Sequence, residues 1–422
     1  MTIINHGAPG FPYFTPIQSP ASGTAVDPQP DGKPIPKLFE PLKIRGVEFQ
    51  NRIFVSPMCQ YSAEDGHATA WHQAHLGGIF TRGPGLTVVE AAAVVPEGRI
   101  TPEDLGIWAD SHIAPLADIV TFAHSQSQKI GIQIAHAGRK ASTTAPWLSF
   151  SATAEKEANG WPDNVVGPSA IKYTDTFPEV RELTKAEIKD VIKAFADAAK
   201  RSIKAGFDVI EIHNAHGYLL GEFLSPVSNH RTDEYGGSYE NRIRLTLEVV
   251  DAVRAAIPED TPLFLRVSGT EWLEESMPDQ ESWRIEDTVK LAPLLFAHGI
   301  DLLDVSSGGN HPKQNIQKSP FPDNNARYQS DLAKAVKQSG DSKILVSAVG
   351  GIKDGKTANS LLNDGSADAI FVGRHFQKHP GAVWQFAEEL DLQIHVASQI
   401  GWGFFGRGSV GRRDLEKLKP QK

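Results

Sequence analysis

His213 and His216, with Tyr218 two residues further on, have the clearest chemical capacity in this 422-residue sequence. Two imidazoles three residues apart suit a metal ion, or a pair of hydrogen-bond donors to an oxygen on which negative charge develops. Hydrolytic metal sites usually need more ligands, and no carboxylate cluster stands at a fitting spacing, so the donor reading is the sharper one. A tyrosine, with a free pKa near ~10, is protonated at neutral pH and suits a general acid. Taken alone, Tyr218 fits ordinary packing better. His72 and His75 repeat the spacing on a predicted helix face, where capping or packing is the usual task.

Three glycine motifs compete for phosphate. Gly350-Gly-Ile-Lys-Asp-Gly355-Lys356-Thr357 matches the phosphate loop between a predicted strand and helix. A nucleotide triphosphatase also needs a doubly wound sheet with a separate magnesium-binding strand, so a cofactor's phosphate is the better occupant. Gly401-Trp-Gly403-Phe-Phe-Gly406 matches the dinucleotide fingerprint without the strand, helix and acidic residue that should accompany it, and reads as chance. At Gly373-Arg374, glycine permits close backbone approach and a following helix start offers N–H groups to an anion. The plainer alternative there is a tight turn with a surface arginine.

The elements that must position these residues repeat along the chain. Short β-branched runs alternate with stretches of helical period, the pattern of a parallel sheet with crossover helices. Strand candidates are Ile53 to Met58, Leu86 to Val94, Ile130 to His136, Asp208 to His213, Pro262 to Ser268, Asp301 to Ser307, Ile344 to Val349 and Ala369 to Gly373. Eight strands predict a single (β/α)8 TIM barrel with loop insertions at its C-terminal face; an open doubly wound sheet is the alternative fold. Ile188, Val191, Ile192, Phe195, Ala199 and Ile203 form one apolar stripe, in a helix opened by a Thr184/Glu187 capping box and closed by Gly206. The longest irregular stretches, Thr143 to Glu182 and Glu222 to Gly237, follow strands and so belong to the catalytic face. Strand alternation turns Gln133, His213 and Arg266 inward, where polar groups need partners, water or a ligand.

Bulk properties narrow the function classes. A net charge of -9 gives no basic field for nucleic acid or anionic membrane, which leaves a small-molecule substrate. Cys59 is the single cysteine, so neither an internal disulfide nor a four-thiolate iron–sulfur cluster is available, and a reducing, cytoplasmic setting is expected. Residues 1–36, rich in Pro and Gly, lack a signal peptide's apolar core and read as a flexible arm. The barrel spans 37–395 and a tail 396–422. No apolar run reaches membrane-helix length.

As a set, the residues resemble the old yellow enzyme family in its bacterial and fungal, thermophilic-like branch. The strings that carry the resemblance are Ser56-Pro-Met-Cys-Gln-Tyr61, Glu90-Ala-Ala-Ala-Val94, Gly98-Arg-Ile, Asp104-Leu-Gly-Ile-Trp108, Gln133-Ile-Ala-His-Ala-Gly-Arg-Lys140, His213-Asn-Ala-His-Gly-Tyr-Leu219, Phe223-Leu-Ser-Pro226 and Asn229-His-Arg-Thr-Asp-Glu-Tyr-Gly-Gly237. They cover about residues 37 to 390.

The resemblance implies non-covalent FMN across the barrel mouth and NAD(P)H, NADPH in preference, as transient hydride donor. Ser56, Pro57, Met58, Cys59 and Ala91 would meet the isoalloxazine, with the Cys59 thiol tuning its redox balance. Gln133 would hydrogen-bond the pyrimidine edge, Arg266 would supply a permanent cation, and Gly350, Gly373 and Arg374 would hold the phosphate. His213 and His216 would bind the oxygen of an activated alkene, a carbonyl or nitro compound, and Tyr218 would protonate its α-carbon. Tyr61 would line the pocket and Lys140 would contact the nicotinamide nucleotide. The His213/His216 pair and Cys59 separate the chain from the yeast and plant branch, whose second donor is usually Asn. Relatives of the thermophilic-like branch often end in Gln-Tyr-x-Arg, whose arginine reaches a neighbouring subunit. Here the tail reads Ser398-Gln-Ile-Gly-Trp-Gly-Phe-Phe-Gly-Arg407, so whether Arg407 replaces that contact, and whether the assembly is a homodimer or homotetramer, stay open.

Overall fold

Eight parallel strands close on themselves: β1 (Ile53–Val55), β2 (Leu86–Ala93), β3 (Ile130–Ala135), β4 (Val209–Asn214), β5 (Leu263–Ser268), β6 (Leu302–Ser306), β7 (Leu345–Val349) and β8 (Ala369–Val372), which pairs back with β1. The structure is a computed structural model and describes residues 4–149, 151–315, 327–340 and 343–406. Helices pack between the strands, among them Ala70–Phe80, Ile113–Ser125, Lys185–Ala205 and Arg244–Ala256. All eight predicted strand positions are strands, with ends moved by a few residues.

The helix Lys185–Ala205 shows why the ring forms. Thr184 accepts the Glu187 N–H and Gly206, at φ 95°, ends the helix, as the sequence predicts. A cap contributes about 1 kcal/mol. Ile188, Val191, Phe195 and Ala199 are buried, and the larger ones contribute roughly 1.5–3 kcal/mol each, so the apolar stripe decides which face meets the sheet. It meets the outward face of the strands, where Ile130, Ile132 and Ile134 are fully buried.

The barrel interior is layered. At its floor Phe54, Leu86, Val88, Val209, Phe264, Leu302 and Phe371 form an apolar cluster. It is plugged by Ile44 and Phe49 of the antiparallel hairpin Leu42–Ile44 and Val47–Phe49. Above it the interior turns polar: Gln133 is in register with Glu211, His213 with Arg266, Arg266 with Asp304, and Asp304 with Ser347. The register of β2 against β3 slips between Val89 and Ala91. That irregularity leaves Glu90 free to pair with His72 on the adjoining helix and brings Ala91 level with Gln133.

The N-terminal segment differs from a free arm. Its backbone pairs with the C-terminal stretch, Gly23 N–H donating to the His395 carbonyl and Val26 N–H to that of Gln393. Gln18 donates to Gln399 and Asn51 to the Gly23 carbonyl. Backbone and amide groups hold it, and these leave no hydrophobic period to read. Val165 and Val180 of the 143–182 excursion join Ala137 and Ala141 in a small second core against which Tyr218 packs. Arg407 lies outside the described residues. Among the described residues no helix is long and apolar enough to cross a membrane.

Candidate active site

The C-terminal ends of the strands bring the predicted residues together. His213 is the penultimate residue of β4, and the chain then turns through His216 at φ 60° and Gly217 at φ 67°. That turn folds the imidazoles to 5.2 Å between ring centroids, nearly perpendicular, with Tyr218 5.0 Å from His213.

Hydrogen bonds fix the tautomer of His213 and constrain that of His216. His213 Nδ1 accepts the Ala215 N–H at 3.3 Å, which leaves its proton on Nε2. The His216 ring meets Ser306 through Nε2 at 2.7 Å; with the hydroxyl donating, the His216 proton sits on Nδ1. His213 Nε2 is thus an N–H left for a ligand, and with Ser306 as donor His216 Nδ1 is a second. Burial holds His213 well below the ordinary histidine range and brings His216 down to about 3, with nearby Arg266 and Lys140 adding to both effects. Both rings are neutral at pH 7. Burial raises the Tyr218 phenol well above the ordinary tyrosine value, so it keeps its proton.

Arg266 lies in the polar layer below. It donates to Asp304 and to Ser56 at the end of β1, and its side chain is 6% exposed. Burial opposes its charge, but Asp304 and Glu211 outweigh that and raise its pKa further, so it is a permanent cation. Gln133 donates to Glu211 Oε1 at 2.7 Å. Glu211 Oε2 is buried without a hydrogen-bond partner. Desolvation pushes this carboxyl up, helped by Asp304.

Met58 and Ser56 lie beside Gly373, where an added Cβ would find only ordinary contacts, at 3.5 and 3.6 Å. Gly350 differs: at φ 104° its Cβ would come within 2.6 Å of Gln329 Nε2. Arg374 is exposed and begins the five-residue helix Arg374–Lys378. The rest of the phosphate-loop match is helix capping, since Asp354 accepts the Thr357 N–H at 2.7 Å. Cys59 is half-buried, and burial raises its thiol, with Asp104 and Glu90 adding to the rise. Tyr61, at φ 50°, meets the exposed Trp147 edge-on at 5.6 Å. These groups suit a planar ligand that carries both donors and acceptors and ends in an anion: a mixed polar wall with one orphaned carboxyl oxygen, a fixed cation, and a glycine just beyond each of β7 and β8, the second followed by an exposed arginine.

Lys140 departs from the expected role as a nucleotide contact. Its ammonium donates to the carbonyls of His216, at 2.8 Å, and of Gly309, and sits 4.2 Å from the Tyr173 ring centroid. Burial, with Arg139 adding, lowers it to about 7. It braces the His216 turn from behind. His72 takes the capping role, accepting the Thr69 N–H at 3.0 Å, while His75 is half-buried on the same helix. Among the described residues no three His, Cys, Asp or Glu side chains are grouped to hold a metal ion. Sequence reasoning missed Glu211, Asp304, Ser268 and Ser306. The first two share the inward parity of His213 and Arg266, a signal present in the strands.

The chain is similar to known proteins over most of its length. The NADH:flavin oxidoreductase / NADH oxidase family matches residues 37–393. An NADH:flavin oxidoreductase of Gibberella zeae is 55% identical over 416 residues, covering 97% of this chain and 98% of its own length. An NADPH dehydrogenase of Bacillus subtilis is 40% identical over 371 residues, 87% of this chain and 99% of its own. Morphinone reductase in complex with tetrahydroNAD superposes with a TM-score of 0.68 at 25% identity, over 85% of this chain and 92% of that one.

Proposed function

The chain belongs to the NADH:flavin oxidoreductase / NADH oxidase family, and from that premise we propose that it reduces activated alkenes. It is an NAD(P)H-dependent flavin oxidoreductase of old yellow enzyme type with FMN as cofactor. When bound, FMN would supply the hydride chemistry between NAD(P)H and the substrate that no side chain provides.

The side chains hold, orient and move protons. Gln133 and Arg266 would hold the cofactor's ring and Gly350, Gly373 and Arg374 its phosphate, with Ser56, Pro57, Met58, Cys59 and Ala91 contributing to the ring's seat. His213 Nε2 and His216 Nδ1 each donate one N–H to the carbonyl or nitro oxygen of an α,β-unsaturated compound. Neutral imidazoles suit this task because they stabilise the developing enolate-like charge without surrendering a proton to it. In comparable oxyanion sites one donor contributes about 3–4 kcal/mol to the barrier. Tyr218 protonates the α-carbon as the β-carbon receives hydride, and Tyr61 closes the pocket wall. The histidine pair, with Cys59, supports membership of the bacterial and fungal branch.

The observation that carries this reading is the convergence of two neutral donors and one protonated phenol at a single strand end. A binding module without turnover has no use for the third. Anaerobic stopped-flow tests it. NADPH should bleach the visible flavin absorption and cyclohexenone should restore it, whereas a protein that cannot take up FMN would overturn the reading. Tyr218→Phe should slow reoxidation by the enone at least tenfold and leave bleaching by NADPH nearly unchanged. Equal slowing of both steps would remove Tyr218 from the acid role.

A further inference from the structure

In the reaction proposed above Tyr218 loses one proton per turnover and must regain one before the next. Its surroundings make a standing phenolate costly. Burial dominates the rise of the phenol's pKa, and Cys59, Tyr61, Asp104 and Tyr173 all add to it. One side of the ring packs against the small apolar core of Ala137, Ala141, Val165 and Val180.

The other flank opens on a pocket of about 10 Å³ lined by Tyr218, His213, Asp104 and the apolar Ala91, Ala93 and Ile100. Roughly 10–15 Å³ is the least room that holds a water, and a held water needs two to four polar partners. Tyr218, His213 and Asp104 are the residues of this lining with polar side chains.

Asp104 is 2% exposed, unusual for a carboxyl without an ion-pair partner among the described residues. Its Oδ2 accepts the Ile100 N–H at 2.7 Å and its Oδ1 the Thr101 hydroxyl at 3.0 Å, so the group is fixed in place. Facing groups come from every neighbouring element: Glu90 from β2, Cys59 and Tyr61 from the loop after β1, His213 and Tyr218 from the end of β4, and Arg99 from its own loop. Burial, with Glu90 adding, pushes the carboxyl up to about 7, against the opposing Ile100 and Thr101 hydrogen bonds.

We propose that Asp104 is the internal proton source that restores Tyr218 between turnovers, acting through one water in the pocket they share. The inference rests on the acid role given to Tyr218. Only protons move. The Tyr218 O–H bond breaks as the substrate's α C–H bond forms; the phenolate takes a proton from the water, the water takes one from the Asp104 carboxyl, and solvent reprotonates the Asp104 carboxylate. Nothing is oxidised or reduced in the relay.

The test separates the first turnover from those that follow. Asp104→Asn keeps the volume and an oxygen for the Ile100 N–H but cannot donate an acidic proton. The first alkene reduction by pre-reduced holoenzyme uses the proton already on Tyr218, so its rate should match the wild type. Steady-state turnover at saturating NADPH and cyclohexenone should fall at least tenfold and recover as imidazole buffer is raised at constant pH, a rescue that a structural role would not give. Slowing of the first turnover as large as that of steady state overturns the proposal, and so does an unchanged steady state. Should the variant not fold, wild-type enzyme carries the test. Its steady-state rate should fall as pH rises through about 7, where Asp104 loses its proton, while its first-turnover rate stays level; parallel pH profiles overturn the relay. A failure of the Tyr218 reading shows separately, as unimpaired first-turnover alkene reduction by Tyr218→Phe.

Discussion

Two buried carboxyls share one guanidinium beneath the active site, and a double-mutant cycle on them has a predictable sign. Asp304, fully buried, forms the ion pair with Arg266. Glu211 stands one strand beyond Arg266, and burial together with Asp304 raises its pKa, so at neutral pH it holds a proton while Asp304 balances the guanidinium. Removing one partner of a buried pair ordinarily costs about 3–5 kcal/mol. After Asp304→Asn, however, Glu211 loses its like-charged neighbour and ionises beside Arg266, which offsets much of that loss and leaves about 1–2 kcal/mol. Glu211→Gln alone should cost below about 1 kcal/mol, because glutamine keeps the volume and an oxygen for the Gln133 amide. The double variant leaves Arg266 with no anion and should cost the full ~3–5 kcal/mol. The coupling is then about 2 kcal/mol, against the ~0.3–0.5 kcal/mol of independent sites. Urea unfolding at pH 7 of protein freed of FMN measures it without a contribution from cofactor affinity, provided the m-values agree. Additivity to within ~0.5 kcal/mol would refute the shared-proton account.

Two further perturbations probe the turn and the network behind it. At Gly217 an alanine Cβ would fall 2.4 Å from the Gly309 carbonyl oxygen on top of a φ of 67°, so Gly217→Ala should displace His216 and weaken phenol binding at least tenfold, read by titration of the visible spectrum. Glu222 is fully buried, accepts the Arg139 N–H at 2.8 Å, and leaves its second oxygen unpartnered; burial pushes it up to about 8. A carboxyl raised on folding contributes stability at low pH that is lost as pH rises through its folded value. Glu222→Gln should therefore be near neutral at pH 5 and stabilising, on the order of a few kcal/mol, at pH 9. A variant no more stable than the wild type in pH 9 unfolding curves would contradict the burial argument.

The strands were legible because a barrel strand needs a run of β-branched residues and little else. Ile130, Ile132 and Ile134 announced both the element and its buried outer face, and the inward direction of Gln133, His213 and Arg266 followed from parity. Parity cannot name partners. Arg266 meets Asp304 only through the register between two strands 38 residues apart, and the slip at Val89/Ala91 sends Glu90 to His72 without leaving a mark in composition. Lys140 was misdirected for a related reason. Its position in the Gln133 to Lys140 string placed it near the mouth, but the carbonyls that capture its ammonium belong to a turn after β4 and a loop after β6. The N-terminal segment escaped because amides and backbone groups anchor it, and neither has a period.

The same non-local contacts explain how a loop residue can serve as a fixed donor. His216 sits in the left-handed region, a placement that costs a non-glycine residue on the order of 1–3 kcal/mol unless its surroundings over-determine it. Three hydrogen bonds do so. Its N–H donates to Ser268 Oγ at the end of β5, its ring meets Ser306 at the end of β6, and its carbonyl accepts from Lys140 beyond β3. Each anchor belongs to a different strand, so His216 is registered to the barrel rather than to its own loop. His213, one turn earlier on β4, is fixed by the strand itself. The two imidazoles are therefore fixed by the barrel and not by the long excursions around them, so that in the proposed reaction a change of substrate preference in those excursions would leave the proposed oxygen-binding N–H groups in place.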